Sequence, residues 1–166
     1  TIDYDKLTEQ FKEHGYVIIE NLYTKEYCNE LVEQTVNAFE KINPELNHKN
    51  KFTWKKSNLP PQTRTGMYQS LVCHINPVKR VRNDEKYKKI FREVYSRIKT
   101  NYSVQDDLVT SIDGINLKPN IIGPYNTKSS NDWAHIDQTK RDDTFKCIQG
   151  QVVLSDTTAS FRCSPK

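Results

Sequence analysis

A histidine and an aspartate two residues apart are the side chains of this chain best placed for chemistry. Residues 132–138 read Asp-Trp-Ala-His-Ile-Asp-Gln, so His135 and Asp137 stand in an i, i+2 relation. In an extended strand such side chains project from the same face, and an imidazole nitrogen and a carboxylate oxygen can then bind one cation together. Two histidines with one carboxylate form the ligand set of non-haem Fe(II) sites. The spacing therefore predicts that His135 and Asp137 are metal ligands.

A site of this kind needs a second histidine, and the other histidines all come before the motif: His14, His48 and His74. We expect the missing ligand on a strand downstream, whereas the sequence ends at Lys166. Residues 1–166 are therefore expected to be a single domain and the N-terminal part of a longer one. Two alternatives stay open: the site is incomplete, or His135 is a strand-end residue hydrogen-bonded to an aspartate on a solvated surface.

Helical patterns come before the motif and strand patterns surround it. Predicted helices cover residues 4–14 with Gly15 as the C-terminal stop, a segment that begins after Thr24 and ends at Asn43, and residues 84–99. Predicted strands cover residues 16–19, 114–118, 133–138, 147–154 and 160–163. The first of these strands is expected to be buried because it is β-branched and apolar. Since most helices precede most strands, the predicted fold class is α+β.

Bulk properties exclude several classes of protein. The sequence contains neither an apolar run long enough to span a bilayer nor a signal-peptide hydrophobic segment, so we expect no membrane partner. Its four cysteines form no C-x-x-C pair, which argues against a zinc knuckle and a disulfide framework. Reduced thiols in a cytoplasmic protein are the expectation.

The middle third of the chain is basic. Residues 51–100 hold 13 Lys and Arg against three Asp and Glu, whereas residues 1–50 hold five against ten. Aromatic residues are interleaved with this charge, so a nucleic-acid-binding or nucleic-acid-modifying protein is the alternative function. In that case the phosphate contacts would come from Lys55, Lys56, Arg64, Arg80, Arg82, Lys88 and Lys89, and the aromatic contacts from Phe52, Trp54, Tyr68 and Tyr87.

Four sequence segments together suggest a family. They are Phe-Lys-Glu-His-Gly-Tyr-Val-Ile-Ile at residues 11–19, Ile-Asn-Leu-Lys-Pro at 115–119, Trp-Ala-His-Ile-Asp at 133–137, and Val-Val-Leu-Ser-Asp at 152–156 leading to Ser-Pro-Lys at 164–166. In this order they resemble the phytanoyl-CoA dioxygenase-like family of Fe(II)- and 2-oxoglutarate-dependent oxygenases, which includes ectoine hydroxylase. Of the four, only the His-x-Asp segment is functionally specific.

The resemblance implies a double-stranded β-helix, a jelly-roll-like core of two sheets with the N-terminal helices packed on one of them. It implies that His135 and Asp137 bind Fe(II) and that Asn116 contacts 2-oxoglutarate, although a turn or edge position would also explain this asparagine. The family's distal histidine and its 2-oxoglutarate-binding arginine lie beyond the region matched by residues 164–166. The C-terminal strands of the core are expected to be missing with them.

The implied activity is hydroxylation of a small molecule, with O₂ and 2-oxoglutarate as cosubstrates. The carboxylate at Asp137 argues against the halogenases of this class, which have a small residue there. No separate catalytic acid or base is assigned. A non-catalytic relic of the oxygenase fold is a further alternative, and the substrate itself is not predicted.

Overall fold

The computed structural model describes residues 2–63, 66–98, 108–111, 113–117, 147–157 and 163. The α-helices in this part of the chain are α1 (Tyr4–His14), α2 (Lys25–Ile42), α3 (Asn76–Asn83) and α4 (Glu85–Arg97). Short 3₁₀ helices lie at Lys51–Thr53, Lys56–Asn58 and Ser70–His74. The strands are β1 (Met67–Tyr68) and β2 (Ile115–Asn116), which pair antiparallel.

Local signals at the helix ends confirm the predicted bounds of α1 and α2. Gly15 follows α1 in the left-handed conformation, with φ of 79°, and its N–H donates to the carbonyl oxygen of Phe11. The Thr24 hydroxyl accepts a hydrogen bond from the Tyr27 N–H and so caps the first turn of α2. These contacts span three or four residues, which is why the sequence alone predicts them.

The basic helix predicted from residue 84 to about residue 99 is confirmed over Glu85–Arg97, as α4. The Asp84 carboxylate caps it by accepting from the N–H groups of Lys86 and Tyr87. The short helix α3, directly before it, was not among the predicted elements. A proline in its first turn, Pro77, is the local signal that favours a helix start there.

The prediction of a buried strand at residues 16–19 is wrong. The structure gives the segment no strand pairing among the described residues, and Ile18 is 76% exposed. Val17 and Ile19 pack inward beside α1 and α4, whereas Tyr16 and Ile18 face outward. The reason is that side chains alternate in direction along this segment, and the core lies on only one side of it.

One hydrophobic core lies between α2, the 43–60 segment and the two strands. We call it the α2 cluster, and its buried residues are Phe39, Leu46, Leu59, Tyr68 and Val72. The rings of Phe39 and Tyr68 lie 5.0 Å apart, and both side chains are fully buried. Leu46 and Leu59 therefore anchor the 43–60 segment to this core.

A second core lies between α1 and α4. We call it the α4 cluster, and its buried residues are Leu7, Ile90 and Val94. Ile148, from the far end of the chain, packs against the same cluster, and its N–H donates to the Tyr95 hydroxyl at 2.8 Å. A salt bridge of 2.7 Å between Arg97 and Asp5 joins the two helices at the surface.

Segment 147–157 lies against α4 but is not a strand among the described residues, so the strand predicted at 147–154 is not found. A strand requires a partner, and the segments predicted to flank it, 133–138 and 160–163, lie outside the described residues apart from Cys163. The double-stranded β-helix core therefore stays a prediction. Gly150 sits directly on α4, where a β-carbon would overlap the Tyr87 hydroxyl and the Phe91 ring.

Candidate functional site

The two predicted metal ligands, His135 and Asp137, lie outside the described residues. The third predicted site residue, Asn116, is among the described residues and is the second residue of β2. The geometry around Asn116 is therefore the part of the predicted site that the structure describes.

The short sheet sorts its side chains onto two faces. Tyr68 is paired with Ile115, and Met67 is paired with Asn116. Ile115 and Leu117 pack against the α2 cluster, which also contains the buried Tyr68. Because side chains alternate along a strand, Asn116 projects from the opposite face, and it is exposed. One face of the sheet thus meets the helical layer, while the polar asparagine faces away from it.

Close backbone contacts fix the position of β2. The Leu117 N–H donates to the Gly66 carbonyl oxygen at 2.8 Å. Gly114 lies so close to β1 that a β-carbon there would overlap the Tyr68 carbonyl oxygen. Arg82, on α3, donates to the carbonyl oxygens of Cys73, at 3.0 Å, and Asp113. Arg82 thus ties the start of β2 to the rest of the fold.

This role for Arg82 was not predicted from the sequence, which placed the residue among the phosphate contacts. Its two acceptors are backbone carbonyls nine and 31 residues away. No local pattern indicates contacts at such separations, so only the folded chain reveals them.

A histidine and a glutamate form a second polar pair, between α2 and the following segment. His48 Nδ1 lies 2.7 Å from the Glu40 carboxylate, and the His48 backbone N–H donates to the same oxygen. These bonds, the backbone one first, lower the pKa of the Glu40 carboxyl. The Trp54 indole N–H donates to the His48 carbonyl oxygen at 3.3 Å and completes the arrangement.

The surface beside this pair is a shallow groove. It is lined by Asn29, Val32, Glu33, Val36, His48 and Trp54. Across the described ranges, no three His, Cys, Asp or Glu side chains come together in a group that could hold a metal ion. The hydrogen bonds between His48 and Glu40 attach the 43–58 segment to α2. The sequence alone does not indicate this role, because the partners are eight residues apart and lie in different elements.

A tyrosine hydroxyl is buried between α2 and α4 without a hydrogen-bond partner among the described residues. It belongs to Tyr23, whose ring lies 5.1 Å from that of Tyr27. Burial, followed by the nearby Asp84 carboxylate, raises the pKa of the Tyr23 hydroxyl above its usual range. A buried hydroxyl without a partner lowers the stability of the fold, because it loses its hydrogen bonds to water and gains none in the protein.

Part of the positive charge of the middle third is paired with carboxylates within the fold. Arg80 forms a salt bridge of 2.5 Å with Glu30, and this hydrogen bond lowers the pKa of the Glu30 carboxyl. Glu85 pairs with Lys88 at 2.7 Å and with Arg92 at 3.1 Å. Of the other predicted phosphate contacts, Lys89 lies over the Tyr4 ring, Lys55 and Lys56 are exposed, and Arg64 lies outside the described residues.

None of the described helices has both the length and the apolar character that crossing a membrane requires. Comparisons of the chain with protein-family models, with curated proteins and with solved structures found no match. The sequence motifs and the geometry around Asn116 are therefore the basis for a functional proposal.

Proposed function

We propose that this protein is a non-haem Fe(II)- and 2-oxoglutarate-dependent dioxygenase that hydroxylates a small molecule in the cytoplasm. The observation that carries the proposal is the pair His135 and Asp137, spaced for joint metal binding and preceded by Trp133. The order of the surrounding segments along the chain supports it.

The geometry of β2 is consistent with this proposal. In a two-layered core with helices on one side, cosubstrate-binding residues must face away from the helices, toward the interior between the sheets. Asn116 faces away from the α2 cluster, because its neighbours Ile115 and Leu117 pack against that cluster, and this supports the proposal. An orientation into the helical layer would have argued against a role in cosubstrate binding.

The donor chemistry of the motif fits Fe(II). His135 would supply a neutral imidazole nitrogen and Asp137 a negatively charged oxygen, with the third protein ligand expected from a further histidine. When bound, the iron supplies the activation of O₂ by which 2-oxoglutarate is converted to succinate and CO₂ while a C–H bond of the substrate becomes C–OH.

The chain's own residues have binding and orienting roles in this scheme. Asp137 balances part of the metal charge, and Asn116 would bind 2-oxoglutarate through its side-chain amide. Arg82 and Gly114 hold the strand that carries Asn116, so they are positioning residues. The location is proposed from the thiols, since all four cysteines are free, as suits a reducing compartment: Cys28, Cys73, Cys147 and Cys163.

The test is an anaerobic titration of the protein with Fe(II) and 2-oxoglutarate, followed by the weak visible charge-transfer band of iron-chelated 2-oxoglutarate. We expect the band in the wild-type protein and its loss in His135→Ala and in Asp137→Ala. His74→Ala is the matched control, because His74 is exposed at the end of a 3₁₀ helix, and it should leave the band unchanged.

Asn116→Ala separates metal binding from cosubstrate binding. We expect this variant to form the band only at higher 2-oxoglutarate concentration, by roughly tenfold, which corresponds to the loss of one hydrogen bond to a charged group. If the folded, full-length protein gives no band at any concentration, the oxygenase proposal is wrong and the non-catalytic relic becomes the better interpretation.

A further inference from the structure

An exposed aromatic ring stands on a basic loop after α2. Phe52 is 68% exposed, and four lysines lie within four residues of it in the sequence. We call these five residues the lysine loop: Lys49, Lys51, Phe52, Lys55 and Lys56. All five are exposed, whereas Leu46 and Leu59, on either side, are buried in the α2 cluster.

The backbone of the lysine loop is ordered by its own hydrogen bonds. The Thr53 hydroxyl donates to the carbonyl oxygens of Asn47, at 2.8 Å, and Asn50, at 2.7 Å. The Asn58 side chain donates to the Thr53 carbonyl oxygen at 2.9 Å, and the Asn50 side chain caps the first 3₁₀ turn. These contacts present the ring and the amines on a fixed scaffold, which lowers the entropy lost when a ligand binds.

The charge of the lysine loop also differs from that of the helices. On α3 and α4, Arg80, Lys88, Arg92 and Arg97 bind carboxylates of the same fold. In the lysine loop, the structure shows no ion pair to any amine among the described residues. Lys51 Nζ lies over one face of the Phe52 ring, 5.6 Å from its centre, and Phe52 remains 68% exposed. Lys51, Lys55 and Lys56 are exposed, whereas Lys49 lies near enough to the Glu40 carboxylate to contribute to the lowering of its pKa.

We propose that the lysine loop is a binding surface for single-stranded nucleic acid, separate from the proposed iron site. A base stacks on the free face of Phe52, and the flanking lysines contact the phosphates on either side. An anionic membrane is a poorer match, because insertion into lipid needs a continuous apolar face and this loop offers one ring among lysines and asparagines.

The test is the fluorescence anisotropy of a short labelled oligothymidylate titrated with the protein at several salt concentrations. We expect Phe52→Ala to weaken binding roughly tenfold through the loss of one stacked base. Lys55→Gln with Lys56→Gln should reduce the slope of log affinity against log salt by about 1.4, since two phosphate contacts are lost.

The matched control is Lys79→Gln with Lys86→Gln, which removes the same charge from exposed positions on α3 and α4. We expect this control to leave the salt slope unchanged. All variants lie on the surface, and circular dichroism confirms their folding before comparison. Since no iron or 2-oxoglutarate is added, the result is independent of the proposed oxygenase activity.

Three outcomes would overturn the proposal. The first is the absence of oligonucleotide binding by the wild-type protein at low salt. The second is equal weakening by the loop variants and the control, which would indicate binding to net charge alone. The third is binding only to phosphatidylserine vesicles, with the same dependence on Phe52, which would assign the loop to a membrane surface.

Discussion

The two hydrophobic clusters of this protein differ in what they support. The α2 cluster joins α2, the 43–60 segment and both strands, and it carries the strand on which Asn116 lies. The α4 cluster joins α1, α4 and Ile148, and its buried residues keep between 4% and 8% of their surface exposed, whereas Phe39, Tyr68 and Val72 keep none. The comparison suggests that the α2 cluster determines the geometry of the proposed site, while the α4 cluster attaches the two ends of the described chain to each other.

Phe39→Ala is expected to have the largest effect. Removing a fully buried ring that contacts Tyr68 should lower the free energy of unfolding by about 4 kcal/mol, measured by urea denaturation. Hydrogen exchange at the Leu117 N–H should accelerate, because this amide holds β2 to Gly66.

Leu7→Ala is the partner experiment in the α4 cluster. It should lower the free energy of unfolding by about 3 kcal/mol. Once this change in global stability is subtracted, the protection of the Leu117 amide from hydrogen exchange should stay close to that of the wild type. If both variants expose this amide equally, the two clusters form one cooperative unit and the comparison is wrong.

Glycine substitutions probe the two clusters at their closest backbone approaches. Gly114→Ala places a β-carbon against the Tyr68 carbonyl oxygen, which belongs to a paired strand and cannot move aside, so we expect a loss of about 3 kcal/mol. Gly150→Ala meets only the ends of the Tyr87 and Phe91 side chains, which can rotate, and should cost about 1 kcal/mol. Thermal unfolding of both variants measures the difference, and the reverse order would contradict the structure.

Tyr23→Phe tests the seam between α2 and α4. Removing a buried hydroxyl that has no partner among the described residues should raise the free energy of unfolding by about 1 kcal/mol. Tyr27→Phe is the control, because the Tyr27 hydroxyl is not among the described buried groups that lack a partner, and the ring over which Arg80 lies is kept, so its removal should bring no gain. A loss of stability in Tyr23→Phe would show that the hydroxyl has a partner in the folded protein.

The smallest expected effect is on the pH dependence of stability, through the Glu40–His48 contact between α2 and the following segment. The pKa of Glu40 is lowered in the folded state, so its contribution to stability is present above its ordinary value of 4.5 and is lost as the pH falls through the lowered pKa. Glu40→Gln should therefore reduce the fall in melting temperature that accompanies acidification below about pH 5. Glu26→Gln, an exposed carboxyl in the first turn of α2, is the control. An unchanged acid slope in Glu40→Gln would contradict the assignment.

The sequence by itself determined the helices α1, α2 and α4 and their ends. Gly15, Thr24 and Asp84 act on backbone groups within a few residues, so their effects can be predicted without knowledge of the fold. The same holds for the spacing of His135 and Asp137, which is a local relation, although its geometry lies outside the described residues.

Only the tertiary structure decided which way side chains face and which partners they find. It placed Asn116 on the side away from the helices, turned Ile18 to solvent, and assigned Arg82 to the carbonyl of Asp113, 31 residues away. It also showed that basic residues such as Arg80 and Arg97 are paired with carboxylates, whereas Lys55 and Lys56 of the lysine loop are exposed. The physical reason is that burial and pairing depend on neighbours distant in sequence, whereas helix caps depend on neighbours within one turn.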